Sequence, residues 1–274
     1  MRRTTRSVPR RDYVQLEDAL SRRHFIIPDT QIRSSVSMTF IDWVGRAIAH
    51  YKPDVIIHLG DHWDMPSLSS HDPAGSRAKE NARYEKDVDA GNEAFARLCA
   101  PLEKLERRSK WRPRKVLLRG NHEGRIERAI ENDPRYEGTI GEHHLDSRDW
   151  EVLPFLHVER IDGILYSHYF SNVNSGKPIG GSIDNRLNRI GDSFVQGHEQ
   201  GFLYGCRQFP TGVTRHGLVV GSCYTHDESY KGRQGNGHWR GVIVLNEVEN
   251  GDYDILKVSM SYLKRTFADK RRPT

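Results

Sequence analysis

Five short blocks along the 274-residue chain hold side chains that could do chemistry together. They are Asp29-Thr30-Gln31, Gly60-Asp61-His62-Trp63-Asp64, Gly120-Asn121-His122-Glu123, Ser167-His168 and Gly197-His198-Glu199-Gln200. Carboxylate, amide oxygen and imidazole are donors that divalent metals take. Asp29, Asp61 and Asn121 each follow a short apolar run, at 24–28, 54–59 and 115–118, which reads as a buried strand. In open α/β sheets, sites gather at the carboxyl ends of strands, so these loops can converge although they lie far apart in sequence. Two metals about 3.5–4 Å apart can clamp a phosphate and activate water between them. Such a pair shares one carboxylate, and Asp61 is the natural bridge.

The elements that must hold these loops follow from the pattern between them. Ile41, Val44, Ile48 and Tyr51 share one helical face, and Lys52-Pro53 stops that helix. Tyr84, Val88, Phe95, Leu98, Leu102 and Leu105 keep helical phase, with Gly91 at one intermediate turn, so a helix is predicted over 77–107 with a bend near Pro101. A short helix is predicted over 125–131, ended by Asn132-Asp133-Pro134. The second half predicts strands at 161–166, 193–196, 217–220, 241–248 and 252–259, with a helix within 180–190. Asn250-Gly251 is a hairpin-turn signal. A β-α-β-α-β half followed by a mainly β half implies an α/β fold, two packed sheets with helices outside.

Length allows one sizeable core. The expected organisation is a basic, poorly ordered leader over 1–20, one domain over 21–262 and a basic tail over 263–274. Five arginines crowd residues 1–11, and no run approaches the ~20 apolar residues that span a bilayer, so neither a secretory signal nor a membrane span is expected. Cys99, Cys206 and Cys223 are an odd, widely spaced set without CxxC, which points to reduced thiols and a cytoplasmic setting. Net charge is +5, with basic residues at both ends. Attraction to a polyanion such as nucleic acid and two plainly solvated tails both fit.

Taken together, the blocks resemble the calcineurin-like metallophosphoesterase superfamily, whose pattern is D-x-H, G-D-x-x-D, G-N-H-[E/D], a lone His and G-H-x-H. The likeness runs over residues 24–226, in the D-x-Q variant seen among stand-alone bacterial and phage phosphoesterases. It implies an αββα two-sheet sandwich and a two-metal centre that hydrolyses phosphate esters. Carried over residue by residue, the first metal would meet Asp29, Gln31, Asp61 and Gln200. The second would meet Asp61, Asn121, His168 and His198. His122 takes the general-acid position, and Asp64 would hold and polarise it. Gln31 and Gln200 stand where the pattern has histidines, and both belong to the first metal. That site becomes all-oxygen, which favours Mn²⁺ or Mg²⁺ over Zn²⁺, with Fe a further candidate.

Other residues divide between two readings. His62 could touch substrate or pack beside Trp63. Arg125 could pair with phosphate oxygens or stand in solvent at a helix start. His226 could reach the site or replace a missing ligand. His143-His144 reads as a surface pair and Cys223 as a buried thiol. Met65-Pro66 follows Asp64, where protein phosphatases of the superfamily carry Arg-Gly, which lowers that reading. A metal-dependent phosphodiesterase with a nucleic acid or nucleotide substrate, such as a nuclease, is expected. A phosphomonoesterase is the alternative enzyme, and a non-catalytic nucleic-acid-binding or assembly module is the alternative of another class. Oligomeric state is not legible.

Overall fold

Apolar runs without alternation belong to strands covered on both faces. The computed structural model describes residues 21–70, 82–228 and 231–269, and three such runs form its centre. The first half runs β1 (Arg22–Ile27), α1 (Thr39–Tyr51), β2 (Val55–His58), α2 (Tyr84–Arg108), β3 (Arg114–Leu118), α3 (Arg125–Asn132) and β4 (Glu151–Leu153). The second runs β5 (Glu159–Ile161), β6 (Ile164–Ser167), α4 (Ile183–Ile190), β7 (Phe194–Gln196), β8 (Phe202–Gln208), β9 (Thr214–Val220), α5 (Gly232–Gly235), β10 (Gly241–Glu249), β11 (Asp252–Ser259) and α6 (Met260–Phe267).

Among the described residues the strands form two sheets, ordered β11-β10-β1-β2-β3-β4 and β5-β6-β7-β9-β8. β1 to β4 pair in parallel, as do β6, β7 and β9. Alternation along β1 sorts its side chains between two cores. Ile26 faces the second sheet, in a layer with Ile57, Leu118, Tyr166, Val195 and Leu218. Phe25 and Ile27 face α1 and α2, among Ile41, Val44, Phe95 and Leu98. Leu187 of α4 packs on Phe194 outside the other sheet. The result is the expected αββα sandwich.

Several local expectations change. The strand expected over 161–166 is a hairpin, because Asp162 (φ 49°) and Gly163 (φ 85°) make a tight turn between β5 and β6. Asn250 (φ 50°) and Gly251 (φ 88°) turn β10 into β11 in the same way. α2 starts at Tyr84, after two non-helical residues at 82–83; the expected turns at 77–81 lie outside the described residues. Residues 263–267, expected in the basic tail, are part of α6. Ser259 caps α6 by accepting the Tyr262 N–H, Leu263 is fully buried, and Arg46 of α1 donates to the Phe267 carbonyl. The 1–20 leader and residues 270–274 lie outside the described residues. No described helix is long and apolar enough to cross a membrane.

Candidate metal centre

Parallel pairing points the carboxyl ends of β1, β2 and β3 one way in the first sheet, and those of β6, β7 and β9 one way in the second. Asp29, Asp61, Asn121, His168 and His198 all lie just beyond these ends. The two sheets are tied at this edge by a parallel bridge between Asp29 and Ser222 and by the Cys223 N–H donating to the Asp29 carbonyl (2.8 Å). The Gln31 N–H donates to the Asp61 carbonyl (2.8 Å), joining the first two loops.

The loops are bent in an uncommon way. Gln31 (φ 43°), Asp61 (φ 50°), His198 (φ 68°) and Gln200 (φ 50°) all occupy the left-handed region. Non-glycine residues pay strain there, and such strain gathers where surrounding structure imposes it for a purpose. One source of the imposition is Glu123. Its buried carboxylate accepts the backbone N–H groups of Asp61 (3.0 Å), His62 (2.6 Å), Trp63 (3.0 Å) and Gly120 (2.8 Å). Close approach also needs glycine. A Cβ at Gly120 would lie 2.2 Å from Asp61 Oδ1, and one at Gly197 2.6 Å from Asp29 Oδ1.

The second expected ligand set converges. One ligand atom each from Asp61, His168 and His198 lies within 4.8 Å of the others. His168 donates its Nδ1–H to the Leu59 carbonyl (2.7 Å), which leaves the Nε2 lone pair facing the site. That nitrogen lies 2.9 Å from Asn121 Oδ1 and 3.4 Å from Asp61 Oδ2. His198 Nδ1 is 2.8 Å from the same Asn121 oxygen. Acceptors crowded this way need a cation or a proton among them. Burial, then the neighbouring His168, push His198 down to about 4, so its imidazole is neutral and fit to ligate.

The first set offers oxygens. Asp29 Oδ1 accepts the His198 N–H (3.1 Å), while Asp29 Oδ2 and Gln31 Oε1 are buried without a hydrogen-bond partner. Gln200 Oε1 accepts the Tyr224 hydroxyl (2.9 Å). Burial, and then the charge of Asp61, raise the Asp29 carboxyl to about 7. Burial works the same way on Asp61, but His122 and His168 outweigh it and hold that carboxyl below its ordinary range. Asp29 Oδ2 and Gln31 Oε1, buried and without partners, are oxygens of the kind a divalent ion takes.

His122 stands at the edge of this cluster. Its backbone N–H donates to Asp61 Oδ1 (2.9 Å), and its Nδ1–H donates to Asp64 Oδ1 (2.7 Å). Burial opposes the charged imidazole, yet Asp61 and Asp64 raise it to about 9. Burial of Asp64 is likewise overcome by the His122 hydrogen bond, which holds that carboxyl well below its usual range. Arg125 donates to the Asp64 carbonyl (2.6 Å), and its Nη2 lies 3.2 Å from His122 Nε2. It is therefore packed at the site and not free in solvent.

His62 and His226 each had two readings, and the structure gives both of them partners within the protein. His62 is fully buried. It donates Nε2–H to the Gly91 carbonyl (3.0 Å) and accepts the Thr30 hydroxyl at Nδ1 (2.8 Å), leaving no ring nitrogen for substrate. His226 stacks on Tyr224 and donates Nε2–H to Glu228 (2.8 Å), so that nitrogen is spent; its Nδ1 is buried without a partner. Glu199 turns away from the metal cluster to pair with Arg186 of α4 (2.7 Å). Glu123 was missed as an organiser, although an acid inside a glycine-flanked loop is suited to collecting backbone N–H groups. Arg33, Tyr224 and Glu228 had no sequence signal, since only the tertiary fold brings them here.

Residues 26–215 match the family model described as calcineurin-like phosphoesterase. A comparison with curated proteins returned no match. With the match covering more than half of the chain and the metal-ligating cluster at its strand ends, the chain belongs to the calcineurin-like phosphoesterases and is a metal-dependent hydrolase of phosphate esters.

Proposed function

We propose that this chain hydrolyses phosphodiesters at a two-metal centre, with Mn²⁺ the favoured ion and a nucleic acid or nucleotide the substrate. The observation that carries the reading is the convergence of ligand atoms of Asp61, His168 and His198 within 4.8 Å of one another, with Asp29 Oδ2 and Gln31 Oε1 buried without a hydrogen-bond partner. Asp61, Asn121, His168 and His198 would hold one ion, and Asp29, Gln31, Asp61 and Gln200 the other. Bound divalent ions supply charge for the phosphate and lower the pKa of water to give a nucleophile. The oxygen-only first set favours Mn²⁺.

The protein's own part is positioning and proton transfer. His122, fixed through Nδ1 by Asp64, presents Nε2 to the leaving oxygen and protonates it as the ester bond breaks. Arg125, beside that nitrogen, pairs with a non-bridging phosphate oxygen. Tyr169 supports the nucleotide preference: it is half-buried, packs 4.7 Å from His198 and meets Phe155 edge-on, which suits stacking on a base. Free thiols at Cys99, Cys206 and Cys223 are consistent with work in the cytoplasm.

The test is a panel of a phosphomonoester, a simple diester, a cyclic nucleotide and DNA, each with Mn²⁺, Mg²⁺ and Zn²⁺. The reading expects diester turnover, highest with Mn²⁺. Preference for the monoester makes the chain a phosphatase. DNA binding without any turnover makes it a non-catalytic module.

A further inference from the structure

His122 is aimed by Asp64, and Asp64 is gripped from its far side. While Asp64 Oδ1 takes the His122 Nδ1–H, its Oδ2 accepts from Arg33 Nη1 (2.9 Å). The same Arg33 nitrogen lies 3.4 Å and 3.3 Å from the two oxygens of Glu228. Glu228 in turn accepts the His226 Nε2–H (2.8 Å). Glu228 is itself anchored, since its backbone N–H donates to Asn236 Oδ1 (2.9 Å) and its carbonyl accepts from Asn236 Nδ2 (2.8 Å). One guanidinium, from the loop after β1, thus joins two imidazole–carboxylate pairs drawn from the loops after β2, β3 and β9.

The carboxylate side chains of Asp64 and Glu228 are each only 7% exposed. Two buried like charges in one cluster require a shared cation. Arginine suits this better than lysine, because its planar fork holds direction as well as charge. A carboxylate bonded at only one oxygen can swing about its own axis. Bonded at both, it holds its partner imidazole on a fixed line.

We infer that Arg33 is a positioning residue for the general acid: clamped by Glu228, it locks Asp64 so that His122 Nε2 stays directed at the leaving oxygen. The inference rests on the proposed diesterase reading, in which His122 delivers that proton. Among the described residues, the hydrogen bonds of the Arg33 guanidinium go to Asp64 and Glu228, not to the side chains of the expected metal ligands.

Leaving-group dependence separates this role from a merely structural one. A 4-nitrophenolate leaves without a proton, whereas the alkoxide of a dinucleotide needs one. Wild-type chain, Arg33→Met and Arg33→Lys are compared with Mn²⁺ on bis(4-nitrophenyl) phosphate and on a thymidine dinucleotide. In Arg33→Met, kcat for the dinucleotide should fall about 10–100-fold, the usual loss for an outer orienting partner. For the nitrophenyl ester it should fall far less, with KM little changed for both. Arg33→Lys should recover part of the loss, since an ammonium can pair with Asp64 but cannot hold the fork. Arg33→Met removes a positive charge that two buried carboxylates share, so the double variant Arg33→Met/Glu228→Gln restores charge balance and should show the same selective loss. Equal losses on the two esters, or none, in the double variant would overturn the inference. A wild-type chain that cleaves neither ester sinks the underlying reading first, whatever the variants do.

Discussion

His122 sits next to Asn121 in sequence, yet the two side chains do different work. Asn121 Oδ1 faces the two imidazoles, while His122 turns to Asp64. His122→Asn should therefore cut diester turnover by about 10²–10⁴-fold and leave Mn²⁺ content, read by elemental analysis, nearly unchanged. Loss of metal together with activity would reassign His122 as a ligand. Asp29 carries a pH prediction. Its carboxyl ordinarily titrates near 3.8 and is raised to about 7 in the folded chain. A carboxyl raised by folding stabilises the metal-free fold below its unfolded value, and that stabilisation is lost as pH rises through the folded one. A divalent ion needs the ionised form. The rise in Tm on adding Mn²⁺ should thus grow between pH 5 and pH 8, and Asp29→Asn should flatten that growth. A pH-independent rise in the native chain would contradict it. At this scale the ligand types were legible in the sequence because each sits directly after a strand. The Asp64–Arg33 bond was not, because it joins side chains whose proximity only tertiary packing creates.

The loops are held as much as the ligands are. Glu123 collects four backbone N–H groups from the loops after β2 and β3. Glu123→Gln keeps the shape but removes the charge and turns an N–H₂ toward donors. It should cost about 1.5–3 kcal/mol of stability, the range for hydrogen bonds to a charged group, measured by denaturant unfolding. An unchanged midpoint would mean that the loops hold themselves. Elements with strong periodic signals, α1 and the buried strands β1 to β3, could be read directly. β4 and β8 could not. β4 is three residues long and exists through its pairing with β3, and β8 is an edge strand with Gly205 and Cys206 in its middle and no clean alternation. α6 was legible in principle: Ser259 is a capping residue, and Met260, Leu263 and Phe267 fall on one face. Lys264 and Arg265 within it read equally well as part of a solvated tail.

Across the whole molecule, each sheet brings half of the centre. Asp29, Asp61 and Asn121 come from the first sheet and His168 and His198 from the second, so the site exists only when the two sheets close on their shared core. The αββα arrangement was legible from the order of elements; the bridge from Asp29 to Ser222 that seals the edge was not, since parallel pairing between distant segments leaves no local mark. The charge at the chain's ends allows a further test. If residues 1–20 and 270–274 engage nucleic acid, their removal should weaken DNA binding and flatten its dependence on salt. Unchanged binding and slope would leave the tails without that part. The central claim is an asymmetric pair of metal sites, imidazole-rich on one side and oxygen-only on the other, working together. Its most direct test is turnover of bis(4-nitrophenyl) phosphate by metal-free chain titrated with Mn²⁺. The account predicts little activity through the first equivalent, a rise with the second, and no activity at any Mn²⁺ concentration in Asp61→Asn. Full activity at one equivalent, or turnover that survives Asp61→Asn, would contradict it.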